Sequence, residues 1–337
     1  MNAEELSALV AEAGFPVMME AYEREPLFYP ELCEVIPHDP AREFGEKQTV
    51  ITGIGEFREK LEGQEYEATE MIQGPSFYLK VRELGRRLPL SGRLVEMANA
   101  QRPGTIANIG DLIAAAAESA GLNAREKSES IIAGMFQKGT LTAGSSEHFN
   151  GTFNDNNTIT ADPYPKFIYT GQPWFDTAHP ITVGSSTFKN HEASLTLSED
   201  NYNTVRVRMT TQNNRDERNN RVMIRPDTLL VPPGLQKTAL QIIDTPLQPG
   251  GELNDVNVSR GTAAVMSWSY LDDAASSAAW WVTQRGRGSG IRVRDSGDPV
   301  IRIAYDPLKN EWNIIFSKKF GAAVTDWRYA YCANKAA

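Results

Sequence analysis

Two rhythms of apolar and polar positions alternate along this chain. The opening residues follow a helical period. Asn2 can accept from the backbone N–H of Glu5, whose side chain can reach back, and Leu6, Leu9, Val10 and Ala13 form a narrow apolar stripe. Gly14 and Pro16 are expected to end this helix. From Glu20 to Glu46 the prolines at 26, 30, 37 and 40 interrupt every period, which predicts an extended arm lying over a surface. Residues 48–82 then read as a long hairpin. QTVITGI and SFYLKVR are strand-like, and Phe77, Leu79 and Val81 alternate with Ser76, Tyr78 and Lys80. Between them EFREKLEGQEYEATE is too charged for a core: it is either a solvated tip or an arm resting on a neighbouring molecule.

After Pro89 the pattern turns helical. SGRLVEMANA predicts a short helix that stops before Pro103-Gly104. The longest periodic stretch runs from Ile106 to Lys138, with Ile109, Ile113, Ala117, Ala120, Ala124, Ser128, Ile131 and Met135 on one face. The small middle of that face predicts close approach of another backbone, and Gly121 is a candidate kink. Residues 139–194 are loop-rich, with Phe149, Phe153, Trp174 and Phe175 as expected anchors. LTLSEDNYNTVRVRMTTQ suits either a strand or a helix capped by Ser198, and the helix is favoured. VMIRPDTLLVPPGLQKTALQIID predicts strand, turn and helix, with Pro232 and Pro233 in the first turn and Leu235, Ala239, Ile242 and Ile243 buried. A further helix is expected at 272–284, carrying Trp280 and Trp281. PVIRIAYD and EWNIIFS flank the turn Asp306–Asn310 as a hairpin, and VTDWRYAY predicts a last strand.

Composition narrows the function classes. No apolar stretch approaches the ~18 residues of a membrane span, and the acidic start does not resemble a signal peptide. Cys33 and Cys332 are too few for a disulfide framework or a metal knuckle, so a soluble protein of a reducing compartment is expected. A net charge of −9 speaks against a dedicated, phosphate-neutralising nucleic-acid binder.

Candidate chemistry is sparse. There is no Gly-x-Ser-x-Gly, Walker loop, His-Glu-x-x-His or Cys-x-x-Cys. The glycines of Gly286–Gly290 do not join a strand to a helix, as a pyrophosphate cradle requires. His179 could pair with Asp176, but no nucleophile lies nearby, and a structural turn histidine is favoured. His38, His148 and His191 lack metal-ligand spacing. No catalytic, cofactor or metal site is expected, and no enzyme. The arginines at 285, 287, 292 and 294 form either a solvated loop or a contact with acidic neighbours or nucleic acid.

At TLLVPPGLQKTALQIID the chain resembles the strand, Val-Pro-Pro, helix element of the major head proteins of Mu-type tailed phages. WFDTAHP (174–180) and the closing VTDWRYAY (324–331) resemble companion phrases of the same proteins. The resemblance implies an α+β, Hong Kong 97-type capsid fold. It would divide into an N-terminal arm (1–47), an E-loop hairpin (48–82), a P-domain with a spine helix (83–194), an A-domain (195–306) and P-domain return strands (307–337). It implies self-assembly into hexamers and pentamers of an icosahedral shell around double-stranded DNA, held by weak, non-specific contact. Portal, scaffolding and decoration proteins would be the partners, and no membrane is involved. Assembly is expected in the host cytoplasm, followed by residence in the virion. Because the arm begins almost at Met1, scaffolding is expected from a separate protein. Intersubunit contacts are expected from Glu56, Arg58, Glu59, Lys60, Glu62 and Glu65 of the hairpin tip and from Arg285, Arg287, Arg292 and Arg294. The alternatives are an encapsulin-like compartment shell and, in a different class, a two-carboxylate hydrolase.

Overall fold

The computed structural model describes residues 6–8, 10–37, 39, 46–51, 59–60, 62–65, 73–79, 81–93, 95, 109–140, 173–180, 187–216, 220–247, 256–273 and 276–335. Expectations for Asn2, Leu9, Phe149 and Phe153, for most of the hairpin tip and for much of 139–194 lie outside them. In chain order the helices are α1 (Phe15–Glu23), α2 (Tyr29–Leu32), α3 (Ile109–Lys138), α4 (Glu199–Thr211) and α5 (Gln236–Ile243). The strands are β1 (Glu34–Pro37), β2 (Glu46–Ile51), β3 (Gln73–Leu79), β4 (Arg82–Ser91), β5 (His179–Pro180), β6 (Thr187–Phe188), β7 (His191–Glu192), β8 (Thr228–Val231), β9 (Ala264–Ser267), β10 (Trp280–Thr283), β11 (Ile291–Asp295), β12 (Val300–Asp306), β13 (Glu311–Val324) and β14 (Ala330–Ala333).

Two five-stranded sheets organise the chain. In the first, the long strand β13 pairs with β4 on one side and with β12 and then β11 on the other, and β1 adds in parallel to β11. The second runs β7-β14-β10-β8-β9. Strands β2 and β3 pair separately as a hairpin, Gln48 opposite Phe77.

The long helix is unbroken over thirty residues, roughly 45 Å at the α-helical rise. Its first half packs Ile109, Ile113 and Ala117 against Ile314 and Phe316 of the first sheet. Its last turns pack Ile131, Ile132, Met135 and Phe136 against Trp174, Trp281 and Val293, so one helix serves two cores. The expected kink at Gly121 does not occur. A Cβ there would stand 2.3 Å from the Met18 carbonyl oxygen, so the glycine permits α1 to cross the helix backbone closely.

The second sheet is buried on both faces. Along β10, Trp281 joins Leu230, Met266 and Cys332 on the face toward the long helix. Trp280 and Val282 face α4 and α5, with Tyr202, Val205, Ala239 and Ile242. The period-two alternation of a strand thus sends adjacent tryptophans into opposite cores. This corrects the helix expected over 272–284, since a short apolar run does not distinguish a buried strand from a helix. Ser198 caps α4 by accepting from the Asn201 backbone N–H, in accord with the helical reading of that ambiguous segment.

Other expectations are corrected as well. Gly14 and Pro16 do not end the opening helix: a π turn over Val10–Gly14 leads into α1, where Pro16 occupies the first turn and its missing N–H costs nothing. Residues 20–37 are not an irregular arm but the end of α1, then α2 and β1. Residues 82–91 continue as a strand through Pro89, tolerated because β4 is an edge strand. The closing segment is not one strand: Val324 ends β13, a 3-10 turn covers Trp327–Tyr329 and β14 follows. A boundary at 306/307 would cut the β12–β13 hairpin, and the return strand β14 lies in the sheet of β8 and β10.

Candidate assembly surfaces

A buried polar network ties the N-terminal segment, the long helix and the first sheet together. Lys318 on β13 is 3.0 Å from Asp295 on β11, with both side chains almost fully buried. Tyr29 donates its hydroxyl proton to Asp295, and Lys318 donates to the Tyr22 hydroxyl and lies 4.6 Å from that ring's centre. Burial lowers the pKa of the Lys318 ammonium, opposed by the charge of Asp295. Burial first, and Asp295 second, raise both phenols. On the long helix, buried Glu129 accepts from the Phe28 backbone N–H at 2.6 Å, and desolvation holds its carboxyl above the ordinary range. Arg24 with Glu118 (2.9 Å) and Glu25 with Arg125 (3.0 Å) continue the seam.

These contacts dispose of part of the expected arm. Residues 10–37 dock on their own chain, because Met18, Tyr29, Leu32 and Cys33 find apolar partners there. The arginine cluster is dispersed for the same reason. Arg292 bonds Glu34 of β1 at 2.8 Å, and Arg294 is only 3% exposed, so neither is a free surface contact. Arg285 reaches Asp227 at 3.5 Å from a half-exposed position. Arg287 lies in a 3-10 turn over Gly286–Gly288. At the hairpin tip Glu59, Lys60, Glu62 and Glu65 are exposed, while Glu56 and Arg58 lie outside the described residues.

A second polar knot is built around Asn190. Its amide nitrogen donates to the carbonyls of Trp174 (2.8 Å) and Trp327 (3.1 Å). Its oxygen accepts from the Asp176 N–H (2.9 Å) and from His179 Nε2 (3.0 Å), which places the imidazole proton on Nε2. His179 stacks on Trp327 at 4.3 Å, and burial depresses its pKa to about 4, so it is a neutral structural residue. Nearby Glu192 receives Arg208 at 2.7 Å, and burial pushes the Tyr331 hydroxyl, also bonded to Arg208, up to about 12. Among the described residues no cluster of three or more His, Cys, Asp or Glu could hold a metal ion, and no helix is long and apolar enough to cross a membrane.

A concavity of about 780 Å³ runs between the long helix and strand β4. Ala116, Ala120 and Ala124 floor its helical side, and Arg86, Arg87 and Lys127 place cations around it against a single carboxylate, Glu83. The sequence showed Arg86-Arg87 beside a strand, but Lys127 joins them only across the fold.

A family model described as phage capsid protein matches residues 105–333. The chain belongs to the phage capsid protein family. No curated protein sequence matches it. Its structure is similar to the capsid of bacteriophage JBD30, at 13% identity and TM-score 0.49, covering 74% of this chain and 92% of that one. It is similar also to the capsid of a native GTA particle, at 12% identity and TM-score 0.48 over 91% and 89% of the two chains. A virus-like particle from Pyrococcus furiosus gives 8% identity and TM-score 0.45 over 96% and 98%.

The capsid protein is α+β: a paired hairpin, a long helix, a mixed lobe and returning strands follow one another along the chain. The buried polar groups join elements that are distant in the chain. Lys318, Asp295, Tyr29 and Glu129 are structural fasteners, and sequence reasoning missed them because their partners are distant in the chain. The one local signal was Tyr29-Pro30 inside a supposedly irregular arm.

Proposed function

We propose that this capsid protein is the major subunit of an icosahedral phage head. It assembles in the host cytoplasm into hexamers and pentamers and encloses double-stranded DNA by weak, non-specific contact. Its role is structural rather than catalytic. Portal, scaffolding and decoration proteins are its expected partners. The observation that carries this reading is the family match over two-thirds of the chain. The net charge of −9 suits a wall that holds DNA without gripping it.

Within that role the hairpin tip lies on a neighbouring subunit. Residues 55–70 carry six glutamates against Arg58 and Lys60, and the basic groove of Arg86, Arg87 and Lys127 has the complementary charge. Arg285 and Arg287 are further candidates for contact with acidic neighbours, whereas Arg292 and Arg294 are spent within the subunit. Negative-stain microscopy of the purified protein is expected to show shells or capsomers; a compact 37 kDa monomer under all conditions overturns the reading. Deleting residues 55–70 should leave a folded subunit that does not close shells. Normal shells from the deletion variant would remove the tip from the interface.

A further inference from the structure

The two long edges of the first sheet differ in their defences. Strand β4 carries Gly85, Arg86, Arg87 and Pro89, and such residues blunt an edge against further pairing. Strand β12 has neither proline nor lysine along its seven residues and a single cation, Arg302. Among the described residues no strand pairs with its outer side. One face of it is open: Val300 is 44% exposed, Arg302 and Ala304 are exposed, and Leu308 on the turn beyond is 96% exposed. The turn is firmly built. Asp306 accepts from the Leu308 N–H at 3.0 Å, Tyr305 donates to Asn310 at 2.9 Å and packs on Trp312, and Asn310 adopts the left-handed φ of +51°. Leu308 is thus held in water by an ordered turn.

We propose that β12 pairs with β12 of a second copy, antiparallel, about a twofold axis at Ala304. This rests on the shell reading above. In that register Arg302 lies directly opposite Asp306 of the second copy, twice. At each end of the ladder Val300 lies beside the other copy's turn that carries Leu308, and the small Ala304 residues face each other at the axis. The two strand pairs, Arg302 with Asp306 and Ala304 with Ala304, are matched in charge and in size, as directly opposed cross-strand pairs require. Arg302 is available for this: among the described residues its ion-pair partner is Glu83 at a loose 3.9 Å, and both side chains are more than half exposed.

Symmetry then assigns the contact. Neighbours around a hexamer or pentamer meet head to tail through unlike surfaces, whereas a strand pairing with itself makes a twofold contact. The β12 edge accordingly joins subunits of adjacent capsomers.

Three variants test this. Arg302→Asp should keep the folded subunit and its capsomers but lose closed shells, and adding Asp306→Arg should restore closure relative to the single variant. Shells of Ala304→Cys, treated with a short bismaleimide, should give covalent dimers on a denaturing gel. The inference is overturned if Arg302→Asp closes shells as the parent protein does, or if Ala304→Cys shells yield only monomer. Failure of the unaltered protein to form either capsomers or shells would instead overturn the shell reading.

Discussion

The two sheets of this subunit put their surfaces to opposite uses. Strands β8, β10 and β14 of the second are buried along their whole length, with one core on each face. In the first sheet β12 and β4 largely alternate exposed and half-buried residues, and the charged pair Asp295 and Lys318 is buried beside them. The central strands of the second sheet have both faces covered within the subunit. The first sheet holds its own subunit through Lys318 and Asp295 and leaves the outward face of β12 open.

The sharpest way to break this contrast is to compare truncations. Trp281→Ala in the second sheet should destabilise the subunit by about 3–5 kcal/mol in urea unfolding, while Val300→Ala on β12 should change it by no more than ~0.5 kcal/mol. Equal effects would mean that both sheets carry the core alike.

The buried pair offers a second test of similar size. Asp295→Asn leaves Lys318 buried without its counter-charge and should cost about 3–5 kcal/mol, whereas joint replacement of Asp295 and Lys318 by apolar residues should recover most of that loss. Additive losses in the double variant would show that the two residues act independently.

Acid should attack the Asn190 knot. His179 has a folded pKa of about 4 against an ordinary 6.5, so the unfolded chain takes up its proton first. The stability contributed by neutral His179 is therefore whole above about pH 6.5 and is lost as pH falls toward 4, by on the order of 3 kcal/mol. Replacing His179 with Gln should flatten the pH profile of unfolding in that window; an unchanged profile would place the titration elsewhere.

The smallest effect separates two glycines of one helix. Gly121→Ala drives a methyl into the Met18 carbonyl and should destabilise by about 1–3 kcal/mol. Gly134→Ala enters open space and should stabilise by up to ~1 kcal/mol. Thermal unfolding of both variants would show whether close helix crossing is confined to Gly121.

Much of the fold was legible locally. The long helix, α4 with its Ser198 cap, the strand–turn–helix of 228–243 and the 299–317 hairpin each announce themselves by period, cap or turn residues, although β13 runs on to Val324. The tryptophan pair misled, because Trp280-Trp281 is apolar on both sides and carries no period. The N-terminal segment misled through its prolines, which mark only where helices and strands start and stop. For the candidate surfaces, charge density exposed the hairpin tip but overrated the arginine cluster. Arg292 and Arg294 alternate along a strand whose inner neighbours are fixed only by the sheet.

The sequence by itself determined the class of the protein: α+β elements in a recognisable order, an acidic chain with few histidines and cysteines, and no catalytic motif. Only the tertiary structure decided which residues remain available to a neighbour. Period and composition report what a residue prefers within a few positions, whereas availability depends on what lies across the sheet. Asp295 and Lys318 meet over twenty-odd residues of chain, Tyr29 joins them from the far end of the sequence, and β12 is an edge because nothing else in the described fold pairs with it.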